Sequence, residues 1–137
     1  MAVTANSIVT PQSIKTAYAV VDTASTDLDD SPTTSVLLVT AGANGARLVK
    51  LTAVPRATVT ATRLDLWLSK DAGTTKRLVD TALMSAHTVA ATTEIPTTDF
   101  GYSETAPFYL EAADRLYVST AVSLAGGIVI KAEYLDY

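Results

Sequence analysis

The segment Thr62–Ser69 (TRLDLWLS) alternates strictly between two kinds of side chain. One side carries the leucines Leu64, Leu66 and Leu68. The other side carries Arg63, Asp65 and Trp67. Successive side chains of a β-strand point to opposite faces, so this pattern predicts a strand with one buried face and one face in contact with water. The chain is therefore expected to form a sheet that is covered on its leucine side.

Other short segments with strand-like composition recur about every 10 residues, separated by Gly, Pro and Asn turn signals. The segments are 15–21, 36–40, 46–54, 58–69, 76–84, 107–111, 115–122 and 128–137. Asn44-Gly45 tolerates positive φ and is a strong hairpin signal, so it is predicted to join 36–40 to 46–54. No helical segment recurs between the strands. The sequence thus predicts an all-β protein, either an antiparallel β-sandwich or a jelly-roll-like barrel of about eight strands.

The first 14 residues differ from the rest of the chain. They are small and polar with a few scattered aliphatic residues, and Pro11 interrupts them. We expect residues 1–14 to form an extended N-terminal arm. Residues 15–137 then form a single β-sandwich domain, whose length is sufficient to bury a core without metals or disulfides.

Composition excludes several classes of function. The formal net charge is -4, which argues against nucleic-acid binding because phosphates require a basic surface. No apolar run approaches the ~20 residues of a membrane-spanning helix, so no membrane association is expected. The start of the chain lacks the basic and apolar regions of a signal peptide, which predicts synthesis in the cytoplasm of the producing cell.

Reactive side chains are few. There is no cysteine, and His87 is the only histidine, without a neighbouring nucleophile or acid in any recognisable motif. Asp27, Asp29 and Asp30 could offer oxygen ligands to a cation, but the glycine and glutamate of an EF-hand loop are missing. We therefore expect no enzyme activity, no cofactor, and no catalytic or metal-binding residue. A solvated loop is the simpler explanation of the three aspartates.

Trp67 favours a contact surface, because Trp, Tyr and Arg are enriched among residues that dominate binding energy. The alternative is that another part of the same chain covers it, since tryptophan is mostly buried in proteins. Outward positions on other predicted strands and apolar positions in the arm extend the candidate interface. Its members are Trp67, Arg63, Tyr109, Tyr117, Tyr137, Ile8 and Val9.

Four segments resemble the small structural proteins of tailed bacteriophages and prophages. They are Thr4–Pro11 (TANSIVTP), Leu37–Arg47 (LLVTAGANGAR), Asp99–Pro107 (DFGYSETAP) and Leu124–Ile130 (LAGGIVI). The resemblance implies a virion component on the capsid exterior, a decoration or cement protein that binds the major capsid protein or other virion proteins. It also implies a homo-oligomer, with a trimer favoured, and no catalytic residues.

A cement protein works by burying surface between neighbouring shell proteins, and its many identical copies make weak contacts effective. An arm such as residues 1–14 can add a strand to a neighbour's sheet edge. Two alternatives remain open: a component of the tail or the head–tail joint, and a carbohydrate-binding module in which Trp67 and tyrosines stack against sugars.

Overall fold

The computed structural model of the protein describes residues 10–137, and this part of the chain contains nine strands and no helix. The strands are β1 (Ser13–Val21), β2 (Val36–Thr40), β3 (Ala46–Pro55), β4 (Thr62–Ser69), β5 (Arg77–Met84), β6 (Thr98–Asp99), β7 (Phe108–Leu110), β8 (Arg115–Thr120) and β9 (Ile128–Asp136). None of these strands shows apolar residues repeating every three to four positions, as a helix would, and β-branched residues are frequent in them. The all-β prediction is confirmed.

The strands form two sheets, and every pairing between strands is antiparallel. The first sheet has the order β1-β9-β3, with the short strands β6 and β7 both pairing with β3; the second has the order β2-β8-β4-β5. The pairs are nested: first with last, second with second-last, and β4 with β5 at the centre. Such a long hairpin folded over itself is the jelly-roll arrangement of a two-sheet sandwich. The described strands do not close into a barrel.

One predicted pairing is wrong. Asn44-Gly45 does form a turn, in which the Gly45 N–H donates to the Gly42 carbonyl at 3.2 Å and Gly45 has φ of 83°. However, β2 pairs with β8 and β3 pairs with β9, so this turn carries the chain from one sheet to the other. Turn chemistry sets the local backbone angles but does not choose the partner of the strand that follows.

The core lies between the sheets and follows the predicted alternation. Leu64 and Leu66 of β4 are fully buried there, and Leu68 at the strand end is half-buried. The last strand contributes its own inward series, as its pattern predicts: Ile128, Ile130, Ala132 and Tyr134. Burying each large aliphatic side chain contributes roughly 1.5–3 kcal/mol, so this layer supplies most of the driving force for folding.

The start of β1 lies within the residues that the sequence assigned to the arm. Ser13 and Ile14 pair with Asp136 and Leu135 of β9, and the Gln12 N–H donates to the Asp136 carbonyl at 2.7 Å. The sandwich therefore begins at Ser13. Residues 1–9 of the predicted arm, including Ile8 and Val9, lie outside the described residues.

Candidate interaction surface

The central strands of the second sheet, β8 and β4, are covered on their outer face by the protein's own chain, whereas the edge strand β5 exposes Leu83 at 68%. Trp67 points away from the core between the sheets, yet it is 0% exposed. Its Nε1–H donates to Ser119 Oγ at 2.9 Å, and Tyr117 beside it on β8 is also buried. Lys76 Nζ lies 4.4 Å from the centroid of the Tyr117 ring, a cation–π contact. The expectation that this face meets water is wrong, and the same-chain alternative for Trp67 is the one observed.

The segment 22–35, which connects β1 to β2, forms part of this cover. Near its start, Ala24 bridges to Thr120 at the end of β8. Near its end, the carbonyl of Asp30 accepts a 2.9 Å hydrogen bond from the N–H of Lys76, just before β5. The connector from β4 to β5 also lies against this face, because Gly73 approaches the Tyr117 hydroxyl and the Ala72 carbonyl accepts a 3.1 Å hydrogen bond from Arg115 Nη1.

On the same face, β4 also holds an ion pair in which Asp65 is buried and Arg63 is partly exposed. The Asp65 side chain is fully buried, and its Oδ1 accepts a 2.6 Å hydrogen bond from Arg63 Nε, with Oδ2 3.3 Å from Arg63 Nη2. The hydrogen bond to Asp65 raises the pKa of Arg63 above its ordinary value. A bidentate pair of this kind compensates for removing the carboxylate from water. Arg63 is thus committed within the chain and is not free to bind a partner.

The outer face of the first sheet is different, because no other described segment lies across most of it. We call this the open face and define it by the outward residues of β1, β9, β3 and β7. Its most exposed members are Ile14 at 88%, Tyr18 at 73% and Tyr109 at 69%. Large apolar side chains exposed on one face of a sheet are typical of a surface that binds another macromolecule.

One row of the open face crosses four strands. Ile14 pairs with Leu135, Leu135 pairs with Arg47, and Arg47 pairs with Tyr109, so their side chains are neighbours on the same face. The Arg47 Nε atom is buried and has no hydrogen-bond partner among residues 10–137. An aromatic ring beside an arginine without a partner is a combination that interfaces favour.

The open face also differs from the rest of the chain in charge. Arg47, Lys50 and Lys131 contribute three positive charges, while Glu133 and the neighbouring Asp99 of β6 contribute two negative charges. The face therefore carries +1, although the whole chain carries -4. An acidic partner surface fits this face better than it fits the remaining surface.

Beside Tyr18, the open face contains a shallow depression of about 320 Å³. Its lining residues come from β3, β9 and the segment before β6: Lys50, Thr52, Val54, Thr97, Val129 and Lys131. The walls combine aliphatic side chains with ammonium groups and a hydroxyl-bearing threonine. This depression can accept an apolar side chain with a polar or acidic neighbour.

The sequence-predicted interface residues do not all share this surface. Tyr109 lies on the open face, whereas Trp67, Tyr117 and Arg63 belong to the covered face of the second sheet. Tyr137 is half-buried at the end of β9. Trp67 therefore cannot provide the stacking platform of the carbohydrate-binding alternative.

Ile14 and Tyr18 were not among the predicted interface residues. Ile14 falls within the predicted arm, and Tyr18 falls within a segment whose two faces the sequence analysis does not distinguish. The alternation of exposed Ile14, Thr16 and Tyr18 with the inward Ala17 and Ala19 contains the signal that would have identified them.

The other reactive groups are dispersed. Within residues 10–137, no three His, Cys, Asp or Glu residues are placed to hold a metal ion. The aspartates of the covering segment each have a separate partner: Asp27 accepts from the Thr33 hydroxyl, Asp29 from the Ser31 N–H, and Asp30 pairs with Arg77.

His87 pairs with Val59 through two backbone hydrogen bonds of 2.9 Å. Its Nε2 is buried without a hydrogen-bond partner among the described residues. It borders a depression of about 290 Å³ that also includes Leu83, Met84 and Asp99. Ser85, Thr97 and Thr98 line the same depression, and none of their hydroxyl groups is hydrogen-bonded to His87 Nε2.

Polar contacts connect distant parts of the chain at two places on the periphery of the sandwich. At one end, Asp136 accepts a 3.2 Å hydrogen bond from the Gly42 N–H and forms a 2.8 Å ion pair with Lys15, which raises the pKa of Lys15. At the β5 edge, the Tyr102 hydroxyl donates to Asp80 Oδ2 at 2.6 Å. Burial, reinforced by this hydrogen bond, raises the pKa of Tyr102 well above its ordinary value.

Comparisons with known proteins give no family. No family model matches the chain, and no curated protein matches it. A solved structure described as "Structure of Eiger TNF from S. frugiperda" is similar with a TM-score of 0.45 and 9% sequence identity. The match covers 93% of this chain and 96% of that one. No helix among residues 10–137 is long and apolar enough to cross a membrane.

Proposed function

We propose that this protein is a structural component of a bacteriophage virion. In this proposal it is a decoration (cement) protein on the capsid exterior that bridges neighbouring major capsid protein subunits. It is synthesised in the host cytoplasm and acts as a homo-oligomer, with a trimer favoured by the resemblance of its sequence segments to phage structural proteins.

The observation that carries the proposal is the contrast between the two outer faces. The second sheet buries Trp67 and Tyr117 at the centre of its outer face, whereas the first sheet exposes Ile14, Tyr18 and Tyr109. A protein with one covered face and one open face is suited to lie on a surface. The open face would contact the shell, and the acidic covering segment would face solvent.

The mechanism requires only burial of surface. Each exposed aromatic or aliphatic side chain contributes about 25 cal/mol for every Å² of apolar surface that the contact removes from water. A few such residues give modest affinity per copy, and oligomerisation multiplies it because the second and third contacts become intramolecular. The bound protein then opposes separation of the shell subunits that it bridges.

The fold is compatible with this role. Jelly rolls occur in viral capsid proteins, and also in lectins. A fold does not determine a function, so the open face and the sequence resemblance carry more weight than the architecture. The alternative roles in the tail or at the head–tail joint use the same kind of surface and differ in where the protein sits.

The test uses purified capsids that lack the protein. Wild type is added at increasing concentration, and both occupancy and the temperature of shell disassembly are measured. We expect saturable binding and a higher disassembly temperature. Absence of wild-type binding to shells contradicts the decoration role, and imaging of labelled protein at one vertex or along the tail supports the alternative roles.

Two variants locate the contact. Tyr109→Ala removes an exposed side chain from the open face, and Leu83→Ala removes one of nearly equal exposure, 68%, from the second sheet. We expect Tyr109→Ala to lower occupancy and Leu83→Ala to leave it unchanged. Equal occupancy for both variants would show that the open face is not the contact.

A further inference from the structure

Most sheet edges of this protein are protected against pairing with another chain. The edge strand β2 has five residues and a shift in register, β5 has a register shift and carries Arg77 and Asp80, and β6 and β7 have two and three residues. Short length, bulges and charges are the devices by which proteins prevent strand addition at exposed edges.

The remaining edge, β1, has none of these devices. It has nine residues, contains no proline, and pairs with β9 without any shift in register. Its single charged residue, Lys15, is engaged by Asp136. Ile14 and Tyr18 on this strand are among the most exposed large side chains of the described residues. An unprotected edge in a protein that protects its others indicates a site for strand pairing.

The direction of the free backbone groups follows from the pairing with β9. The carbonyl of Asp136 accepts from Gln12, so Asp136 directs its backbone groups toward β1. Its partner Ser13 faces β9, and so does every second residue after it. The N–H and C=O groups at the intervening positions point away from the sheet. Those positions are Ile14, Thr16, Tyr18 and Val20.

Among the described residues, β1 has β9 as its only strand partner, and no backbone hydrogen bond engages the outward groups. We infer that β1 of one copy pairs antiparallel with β1 of a second copy, across a twofold axis at Ala17. The two first sheets then become one continuous sheet. This contact assigns a surface and a symmetry to the self-association that the proposed function includes, and it does not depend on binding to a capsid.

The edge is complementary to itself in this register. Ile14 lies opposite Val20 of the second copy, and Thr16 lies opposite Tyr18. All four outward residues of each strand then donate one hydrogen bond and accept one, as hydrogen-bonded pairs do in antiparallel sheets. Lys15 lies opposite Ala19, so the pairing brings no like charges together.

The symmetry of the contact makes a prediction about mass. A twofold contact joins two single copies, or two trimers, so the assembly contains an even number of chains. Sedimentation equilibrium of the full chain therefore should give the mass of a dimer or a hexamer. A monomeric or trimeric mass at every accessible concentration would overturn the inference.

Thr16→Pro tests the strand pairing directly. The N–H of Thr16 points away from β9, so proline at this position removes a donor only from the free edge, where proline is tolerated. We expect Thr16→Pro to halve the assembly mass, with an unchanged thermal melt when both proteins are dilute. Thr16→Val retains the N–H and should keep the wild-type mass. A Thr16→Pro protein that folds and keeps the wild-type mass would rule out pairing through this edge.

A pair of double variants tests the register of the β1–β1 pairing. These variants also test the pairing itself if Thr16→Pro does not fold. Thr16→Lys with Tyr18→Lys places lysines opposite each other across the twofold axis. Thr16→Lys with Tyr18→Glu places opposite charges there, and it also suits the neighbours Glu133 and Lys131 on β9. We expect the first variant to weaken self-association at least about tenfold, with recovery at high salt, and the second to match wild type. Equal dissociation constants for the two variants would contradict the register.

Discussion

Trp67 Nε1 donates a 2.9 Å hydrogen bond to Ser119 Oγ, and both side chains are fully buried on the side of the second sheet that faces away from the core. The pair belongs to a second buried layer on the outer face of β4 and β8. This layer explains why the largest side chain of the chain lies on a strand face that also holds Arg63 and Asp65. The centre of the second sheet is thereby buried on both sides, whereas the first sheet presents the open face.

Removing either member of this pair should destabilise the protein. Trp67→Ala deletes a buried ring, and we expect a loss of about 3–5 kcal/mol in the free energy of unfolding. Ser119→Ala leaves the buried indole N–H without an acceptor, which costs about 1–3 kcal/mol. Urea unfolding followed by circular dichroism measures both. Trp67 is the only tryptophan, so its fluorescence also reports the unfolding of Ser119→Ala.

Leu83→Ala is the matched control for these variants, because Leu83 is exposed and lies on the same sheet. We expect it to change stability by no more than about 0.5 kcal/mol. A similarly small effect of Trp67→Ala would contradict the buried layer and would return Trp67 to the surface.

The buried ion pair of β4 makes a second prediction. Arg63→Ala leaves the Asp65 carboxylate buried without its partner, and such a loss costs about 3–5 kcal/mol. Adding Asp65→Asn removes the uncompensated charge, so the double variant should recover part of the stability. Chemical unfolding at neutral pH compares the three proteins. A double variant less stable than Arg63→Ala would show that the arginine does not serve to neutralise Asp65.

The sequence predicted the strands better than it predicted their partners. Alternation in Thr62–Ser69 and in Ile128–Tyr137 depends only on local spacing, and both inward faces are confirmed in the structure. The antiparallel sandwich follows from the same spacing and from the turns. The pairing predicted for Asn44-Gly45 is wrong because the jelly roll pairs strands that are distant in sequence, such as β2 with β8.

The candidate surface was harder to predict for the same reason. The hydrogen-bond acceptor of Trp67 is Ser119 on the distant strand β8, and nothing in the pattern of β4 contains that information. Tyr109 was predicted to face outward and is exposed. Its neighbours Arg47 and Leu135 come from two other strands, so the row exists only after the first sheet has formed.

The turn between β2 and β3 gives a third prediction. Gly45 has φ of 83°, and a Cβ atom added there would lie close to the carbonyl oxygen of Leu110. Gly101 has φ of 97° but faces open space. Both alanine variants should lose about 1–2 kcal/mol from the left-handed backbone, and Gly45→Ala should lose about 1–3 kcal/mol more from overpacking. Thermal melts of the two variants measure the difference; equal losses would show that the Leu110 backbone moves without cost.

The fourth prediction concerns the stability of the open-face variant Tyr109→Ala. Tyr109 is largely exposed, so Tyr109→Ala should change the free energy of unfolding by no more than about 0.5 kcal/mol. Its effect on occupancy of shells is then an effect on binding and not on folding. Urea unfolding of this variant beside wild type is the measurement. A large loss of stability would mean that Tyr109 packs within its own chain.

Alkaline pH should weaken the fold through Tyr102. Burial, the hydrogen bond to Asp80 and the charge of Asp80 all raise the pKa of Tyr102 above the ordinary value of 10.0. The unfolded chain then releases the tyrosine proton at a lower pH than the folded protein does. The stability that this tyrosine contributes is fully present below pH 10 and decreases as pH rises above that value toward the folded pKa.

The measurement is the free energy of unfolding from pH 8 to 11.5 for wild type, Tyr102→Phe and Tyr109→Phe. Tyr102→Phe should be less stable than wild type at pH 8, because Asp80 loses a hydrogen bond, and it should lose less stability above pH 10. Tyr109→Phe, changed at an exposed position, should keep the wild-type slope. Tyr134, whose pKa burial also raises, leaves part of the alkaline loss in every variant. If the free energy of unfolding falls equally with pH for wild type and Tyr102→Phe, the Tyr102 hydroxyl is open to water at the β5 edge and its contact with Asp80 does not bury it.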